Sequence, residues 1–553
     1  ATAINAGVLS VTGSLSDSTP VTVASGATYN VDASDTIASL AGSGVVSSSN
    51  AGLKTLTINN QQSSGTFDGV IQDGSGQLAL TKLGTGTLNL LGANTYTGLT
   101  TIDVGRIVFE NNAMPATSGF AGAGSVVIQS ASNSFAANVT VTYTFASTLS
   151  AFTLGKTSND VDVSLNSAIE INGPVTIYGR NLNLNNNVNA GLLNAAAIFK
   201  ATSSIVLAAN KTITTNSGAI TFNSDSDASG AGHIVINAGA GVYSNGGAIT
   251  LGGGANPVTD YAVGAASGNK GVAIYQATIS SGAGNIVING KGFGSNGIYL
   301  EGNTSTNASA GIASITSTSG SITLNAYSTS GPALFIYRPN TQVTSSSGNI
   351  LVNTTGGLEL WRDNLGAGVA PVMSTSGAGT LTLNVDGYST INSSVLSTQN
   401  GDLTFNITGN LSQIWGTHFT TTGTGDIVIA SAANVRLSHS TGVNGGLRAS
   451  GTGDIRISGA NIELSGNVIG HANIQFSNNV TLSEDAVLVN SNGGDINFAG
   501  TVNSATSNRA LEVTAGAGDI TFADAVGGTL ALKGLTLTGN VISATSVRLY
   551  GAN

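Results

Sequence analysis

At 553 residues the chain is too long for one compact globular core, so it forms either several domains or one elongated repeat. Charged residues make up 8% of it, and 17 basic against 27 acidic side chains leave a net charge of −10. No basic stripe of the kind that tracks phosphates is present, which argues against nucleic acid as a partner.

Apolar residues reach 41% and fall in regular alternation, a pattern that a disordered linker does not carry. The chain has no cysteine, so thiolate zinc and iron–sulfur sites are excluded. The same absence suits a bacterial chain that crosses a periplasm unfolded, with no thiols to oxidise on the way. No stretch approaches the ~18 apolar residues of a membrane span, so no transmembrane segment is expected. Ala1-Thr2-Ala3-Ile4-Asn5 carries neither a basic nor an apolar leader region. The expectation is a signal peptide already removed, or an excised piece.

Along the chain, Thr55-Leu56-Thr57-Ile58 and Thr87-Leu88-Asn89-Leu90 alternate as half-buried strands do. So do Val139 to Phe145 and Leu381-Thr382-Leu383. A less regular insertion or transition is expected at 113–150, dividing a segment 1–112 from a segment 151–553. Leu192 to Ala201, with three successive alanines, is the best helix candidate and reads as a short helix on a loop.

From the middle onward a glycine followed by an alternating strand returns again and again. Gly218-Ala219-Ile220-Thr221-Phe222, Gly284-Asn285-Ile286-Val287-Ile288 and Gly348-Asn349-Ile350-Leu351-Val352 are copies, as are Gly425-Asp426-Ile427-Val428-Ile429 and Gly518-Asp519-Ile520-Thr521-Phe522. The recurrence, about every 20 to 30 residues, fits the coil of a parallel β-helix better than a propeller blade or a leucine-rich repeat. Each strand then pairs with its equivalent one turn on, inward Ile, Leu, Val and Phe stack, and Thr and Ser stay wet. Glycine is expected to supply positive φ at tight corners. On the order of 20 coils at about 4.8 Å would make a rod of roughly 100 Å.

Residues 65 to 109 carry a more specific pattern. They contain Gly65-Thr66-Phe67-Asp68-Gly69-Val70-Ile71, then Leu80-Thr81-Lys82-Leu83-Gly84-Thr85-Gly86-Thr87-Leu88-Asn89-Leu90, then Gly92-Ala93-Asn94-Thr95-Tyr96-Thr97-Gly98 and Thr100-Thr101-Ile102-Asp103-Val104-Gly105. This resembles the passenger-associated repeat of bacterial autotransporters, so 1–112 reads as a passenger-repeat-like β-helix. The segment 151–553 resembles filamentous-haemagglutinin-type adhesins in composition. Both resemblances imply an all-β, right-handed parallel β-helix, secreted through an outer-membrane translocator and displayed at a Gram-negative cell surface. The implied partners are surface glycans or proteins of a host or neighbouring cell, or copies of the chain itself. Arg548 to Asn553 follows more repeat-like sequence without the strands and girdles of an outer-membrane barrel, which leaves the export route open.

Chemistry is sparse. No Asp-Asp pair and no Gly-x-Ser-x-Gly occurs, and Gly232-His233-Ile234 and Arg456-Ile457-Ser458 only partly match a pectin-cleaving site. The carboxylate pairs Asp160/Asp162 and Asp225/Asp227 read as solvated loop or strand residues, and His233, His418, His439 and His471 have no zinc spacing. No enzyme activity and no cofactor is expected. Asp402, Asp426, Asp454, Asp495 and Asp519 each follow a repeat glycine, so stacking brings them together either as turn caps or as a calcium ladder. Tyr337-Arg338 and Trp361-Arg362 either wedge at a coil corner or form a contact patch. A surface adhesin is the reading, with an end-stacked fibre subunit as its alternative and a polysaccharide-cleaving enzyme third.

Overall fold

The computed structural model describes residues 1–59, 64–264, 268–303, 311–362, 369–414, 416–438, 446–484 and 487–551. Those residues are all-β, with no helix among them, and their strands pair in parallel as a β-helix does. They divide into two compact units, Ala1–Gly232 with Gly241–Gly247, and His233–Ala240 with Ala248–Asn553.

In the first unit, alternation in sequence becomes a column in space. Leu88 stands opposite Ile107, then Val126, Phe152, Val175, Ala197 and Ile220 follow on successive coils. All are sealed from solvent. Across 113–150, expected to be a less regular insertion or transition, the strands pair in parallel. Strands Gly119–Gly122 and Ser125–Gln129 pair with the strands before and after them, whereas Val139–Val141 pairs with the following strand Val163–Leu165 and Thr144–Phe145 with the preceding strand Gly119–Gly122. Phe109, Phe120, Tyr143, Phe145 and Phe152 fill this stretch with ring contacts of 4.8–6.4 Å, so irregular spacing in sequence is absorbed by large side chains.

The second unit has a longer column. Ile286, Ile322, Ile350, Leu381, Leu403, Ile427, Ile455, Ile474, Ile496 and Ile520 succeed one another in register, each fully buried. All but Ile474, which follows Ala472-Asn473, are the first strand residue of a glycine repeat, and burying such a side chain contributes about 1.5–3 kcal/mol. Two positions on, Phe476, Phe498 and Phe522 stack with ring centroids 4.7 Å apart and planes 9° apart. That separation is the spacing of hydrogen-bonded strands.

The repeat glycines serve a purpose other than the expected one. Gly320, Gly348, Gly401, Gly425, Gly453 and Gly518 do not have positive φ. A Cβ on Gly453 would lie 1.9 Å from the carbonyl oxygen of Gly425, and one on Gly425 would lie 2.0 Å from that of Gly401. Glycine is required because backbones of successive coils touch at this corner. A buried hydroxyl a few residues earlier closes the same corner: Thr215 donates to the Gly218 carbonyl at 2.6 Å, and Thr375 to that of Gly379 at 2.5 Å.

The helix expected at Leu192 to Ala201 is instead the end of strand Val188–Leu193, a turn, and strand Ala197–Ala201. Asn194 turns the chain with φ 64°. Ala197, Phe199 and Ala201 alternate inward, and the strand pairs on both sides, with Val175–Gly179 and Ile220–Ser224. An isolated helix of this length is marginal, so two flanking ladders decide the outcome.

Candidate functional site

The aspartates that follow the repeat glycines do line up on successive coils, and their chemistry is visible. Asp402 Oδ1 accepts the Asp426 N–H at 2.9 Å, Asp426 Oδ1 that of Asp454 at 2.8 Å, and Asp454 Oδ1 that of Asn473 at 3.1 Å. Asp495 Oδ1 accepts from Asp519 at 2.9 Å, and Asp519 Oδ1 from Val541 at 3.1 Å. Asn473 does the same for Asp495, and Asn349 for Thr380. The slot therefore asks for a side-chain oxygen rather than a charge. Arg456 bridges two rungs, with Nη1 2.5 Å from Asp426 and Nη2 2.6 Å from Asp454. Those carboxylates hold the Arg456 guanidinium above its ordinary pKa. Among the described residues no three acidic or histidine side chains converge on a metal-sized site.

The other carboxylate pairs end on local structure. Asp162 accepts from Arg180 Nε at 3.0 Å and Asn181 at 2.8 Å, and the guanidinium holds its carboxyl below the usual range. Asp225, with φ 48°, accepts the Gly230 N–H at 2.8 Å and closes a turn in which Asp227 accepts from Ser229. His233 precedes strand Ile234–Ile236, whereas Arg456 lies on strand Ile455–Ser458, and the two strands belong to different coils. His418 is half-buried on strand His418–Thr421, and His471 is exposed. His439, Trp415, Asp363 and Asn364 lie outside the described residues.

The aromatic candidates are brought together. Strands Val272–Tyr275, Ile298–Glu301, Ile322–Tyr337 and Ile350–Trp361 stack so that Tyr275, Glu301, Tyr337 and Trp361 share one outward column. Ala273, Tyr299, Phe335 and Glu359 share the neighbouring one. Ring centroids lie 5.8 Å apart for Tyr275–Tyr299 and for Tyr299–Phe335, and 5.1 Å apart for Phe335–Tyr337. Lys270 Nζ stands 4.5 Å above the Tyr299 ring, and the Arg338 guanidinium 5.1 Å from that of Tyr337. Arg338 also pairs with Glu301 at 2.7 Å, and its N–H donates to the Trp361 carbonyl at 2.8 Å. Tyr388 donates its hydroxyl to Glu359 at 2.8 Å. Burial and the adjacent carboxylates push the Tyr299 and Tyr388 hydroxyls well above their ordinary pKa, so they remain donors. Trp361 is 36% exposed and Tyr388 38%, while Tyr275, Tyr299, Phe335 and Tyr337 are half-buried. The result is a platform of rings, set edge to face or tilted, with charged groups fixed between them.

Of the residues singled out in the sequence, Tyr337, Arg338 and Trp361 lie on this face with Arg362 next in the chain, while Tyr275, Tyr299, Phe335, Glu301, Glu359 and Lys270 were not singled out. Their signal was aromatic residues in the outward slot of alternating strands, as in Val272-Ala273-Ile274-Tyr275 and Leu334-Phe335-Ile336-Tyr337, where other coils place Thr or Ser. An amide ladder was missed as well. Asn325 donates to Asn289 at 2.7 Å, Asn353 to Asn325 at 2.8 Å, Asn384 to Asn353 at 2.9 Å and Asn406 to Asn384 at 2.9 Å. A shallow cavity of about 250 Å³ lies along it, with Tyr261, Asp386 and Thr408 in its walls.

In the first unit, the motif residues at 80–105 hold adjacent coils together. Lys82 is buried and its ammonium donates to the carbonyls of Gly84 at 2.6 Å, Val104 at 3.2 Å and Leu83 at 3.3 Å. Asn94 accepts the Ile71 N–H at 2.9 Å and donates to the Gly92 carbonyl at 2.8 Å. The buried Tyr96 hydroxyl bonds Thr100 at 2.6 Å, which in turn bonds Thr117 at 3.0 Å. A Cβ at Gly98 would lie 2.2 Å from the Leu78 carbonyl oxygen. Lys82, Asn94 and Thr100 thus tie a coil to its neighbour. Residues 80–108 match the family model of the passenger-associated-transport-repeat. No curated protein and no solved structure matches the chain.

Proposed function

We propose that this chain, whose repeat at 80–108 supports placing it among autotransporter passengers, is a surface adhesin. An outer-membrane translocator delivers it, and it stays at the surface of a Gram-negative cell. There it mediates attachment or cell–cell aggregation and performs no catalysis. The repeat match is the observation that carries the reading. The parallel coils support it, since they hold equivalent side chains at one strand spacing and so offer a repeated outer face. Many copies, each making weak contacts, bind a surface with an avidity that a single copy lacks. The non-catalytic part is supported by carboxylate pairs that end on turns and backbone N–H groups.

Display of the chain from an outer-membrane translocator in a non-adherent Gram-negative strain tests this reading. Cells carrying it should aggregate or attach to a foreign cell layer, and cells displaying only residues 1–112 should not. Equal behaviour of the two strains would refute it.

A further inference from the structure

We infer that the aromatic platform centred on Tyr299, Phe335, Tyr337 and Trp361 is a binding track for a linear, electrically neutral polysaccharide. The inference rests on the adhesin reading and gives it a ligand class and a location. Four features of the face carry it.

The first is composition. Six of the chain's 12 tyrosines and one of its 2 tryptophans fall between Tyr261 and Trp361 or at Tyr388. Those of the platform occupy outward positions that burial of a core does not call for. The second is period. Rings recur on consecutive coils at centroid separations of 5.8 Å, so the track repeats along the stacking direction, as does a polymer of sugar rings. The C–H face of a pyranose packs on such rings while its hydroxyls point sideways.

The third feature is the polar frame. Glu301, Glu359, Lys270 and Arg338 stand beside the rings, held by the Arg338–Glu301 and Tyr388–Glu359 contacts, so charged acceptors and donors flank the place where hydroxyls of a stacked sugar would lie. The core of a protein–protein contact is depleted of such charge, which favours a sugar over a protein surface. The fourth is balance. Between the rings, Lys270 and Arg338 offset Glu301 and Glu359, which suits a neutral chain and gives a polyanion little advantage. The rings lie on outward strand positions and Trp361 is 36% exposed, so an extended chain can lie along them without threading.

Affinity electrophoresis of the full chain through gels containing hydroxyethyl cellulose, galactomannan, pullulan or polygalacturonate tests the inference. At least one neutral polymer should retard the protein, and polygalacturonate should not. Tyr299→Ala and Trp361→Ala should each weaken that retardation by about tenfold or more. Glu359→Gln, which keeps the shape, should weaken it with unchanged far-UV circular dichroism, and it decides the matter where an alanine variant disturbs its coil. Retardation by no neutral polymer, by polygalacturonate alone, or undiminished in all three variants would overturn the track. Attachment by displaying cells separates the two ideas. Adherent cells whose passenger binds no neutral polymer leave the adhesin reading standing without the track. A passenger that binds polymer on cells that do not attach leaves the track without the adhesin reading.

Discussion

Gly453 offers the sharpest perturbation of the coil stack. Replacing it by alanine places a Cβ 1.9 Å from the Gly425 carbonyl oxygen, and real contacts of this kind stay beyond 3.0 Å, so the backbones of two coils must part by about 1 Å. Its φ is not positive, so conformational strain plays no part. Overpacking against backbone costs about 1–3 kcal/mol. Gly534 is the control in the same unit, since its φ is not positive and a Cβ added there would meet nothing within 4 Å. At Gly534 alanine should be neutral or stabilise by about 0.4–1 kcal/mol through the unfolded chain. Long repeat arrays do not unfold as one unit, so amide hydrogen exchange resolved by coil is the assay. Protection of Ile455 and Ile427 should fall in Gly453→Ala by about tenfold or more, and that around Gly534 should hold or rise in its variant. Equal protection in the wild type and Gly453→Ala, or equal loss in both variants, would refute the steric account.

Lys82→Met withdraws a donor from the Gly84, Val104 and Leu83 carbonyls and should cost about 1–3 kcal/mol, read as faster exchange of the coils at 80–108 with little change in the second unit. Asp454→Asn keeps the oxygen that accepts the Asn473 N–H and should be near neutral, whereas Asp454→Ala should cost about 0.5–1.5 kcal/mol by the same assay. Chelation by EDTA should leave thermal unfolding unmoved, because the ladder oxygens are engaged by backbone N–H groups and Arg456; a downward shift would restore the calcium reading. Burial lowers the His233 pKa below 6.5, so the unfolded chain takes up its proton at a higher pH than the folded one. Stability should therefore be full above that value and fall as pH drops from 6.5 towards the folded pKa, and His233→Gln should flatten this dependence in melts recorded across the window.

Much of the architecture could be read from residue order, because a period of two inside a longer glycine period leaves few folds that bury Ile286, Ile322 and Ile350 together. The physical role of the glycines could not. A corner needing positive φ and a corner crowded by the preceding coil demand the same residue, and only the position of the Gly425 carbonyl tells them apart. Local propensity misled at Ala195 to Ala197, where ladders to Val175–Gly179 and Ile220–Ser224 override three alanines. The Asp ladder was legible as a row, and what the slot bonds became visible in the structure, where Asn473 accepts the next N–H as the aspartates do. The aromatic platform was half legible. Tyr337 and Trp361 stood out, but Tyr275 and Tyr299 join them only through register across coils of unequal length.

That register is the central claim, and a chain without cysteine allows it to be tested by crosslinking. Thr404 stands opposite Val428 on neighbouring coils, and strands about 4.8 Å apart lie within disulfide reach. Ala430, two residues further on, is displaced by about 6.6 Å along its strand and falls outside that reach. Under mild oxidation the Thr404→Cys/Val428→Cys chain should close a disulfide nearly completely, and Thr404→Cys/Ala430→Cys should not. Closure of the second pair in preference to the first, or of neither, would contradict the parallel in-register stack.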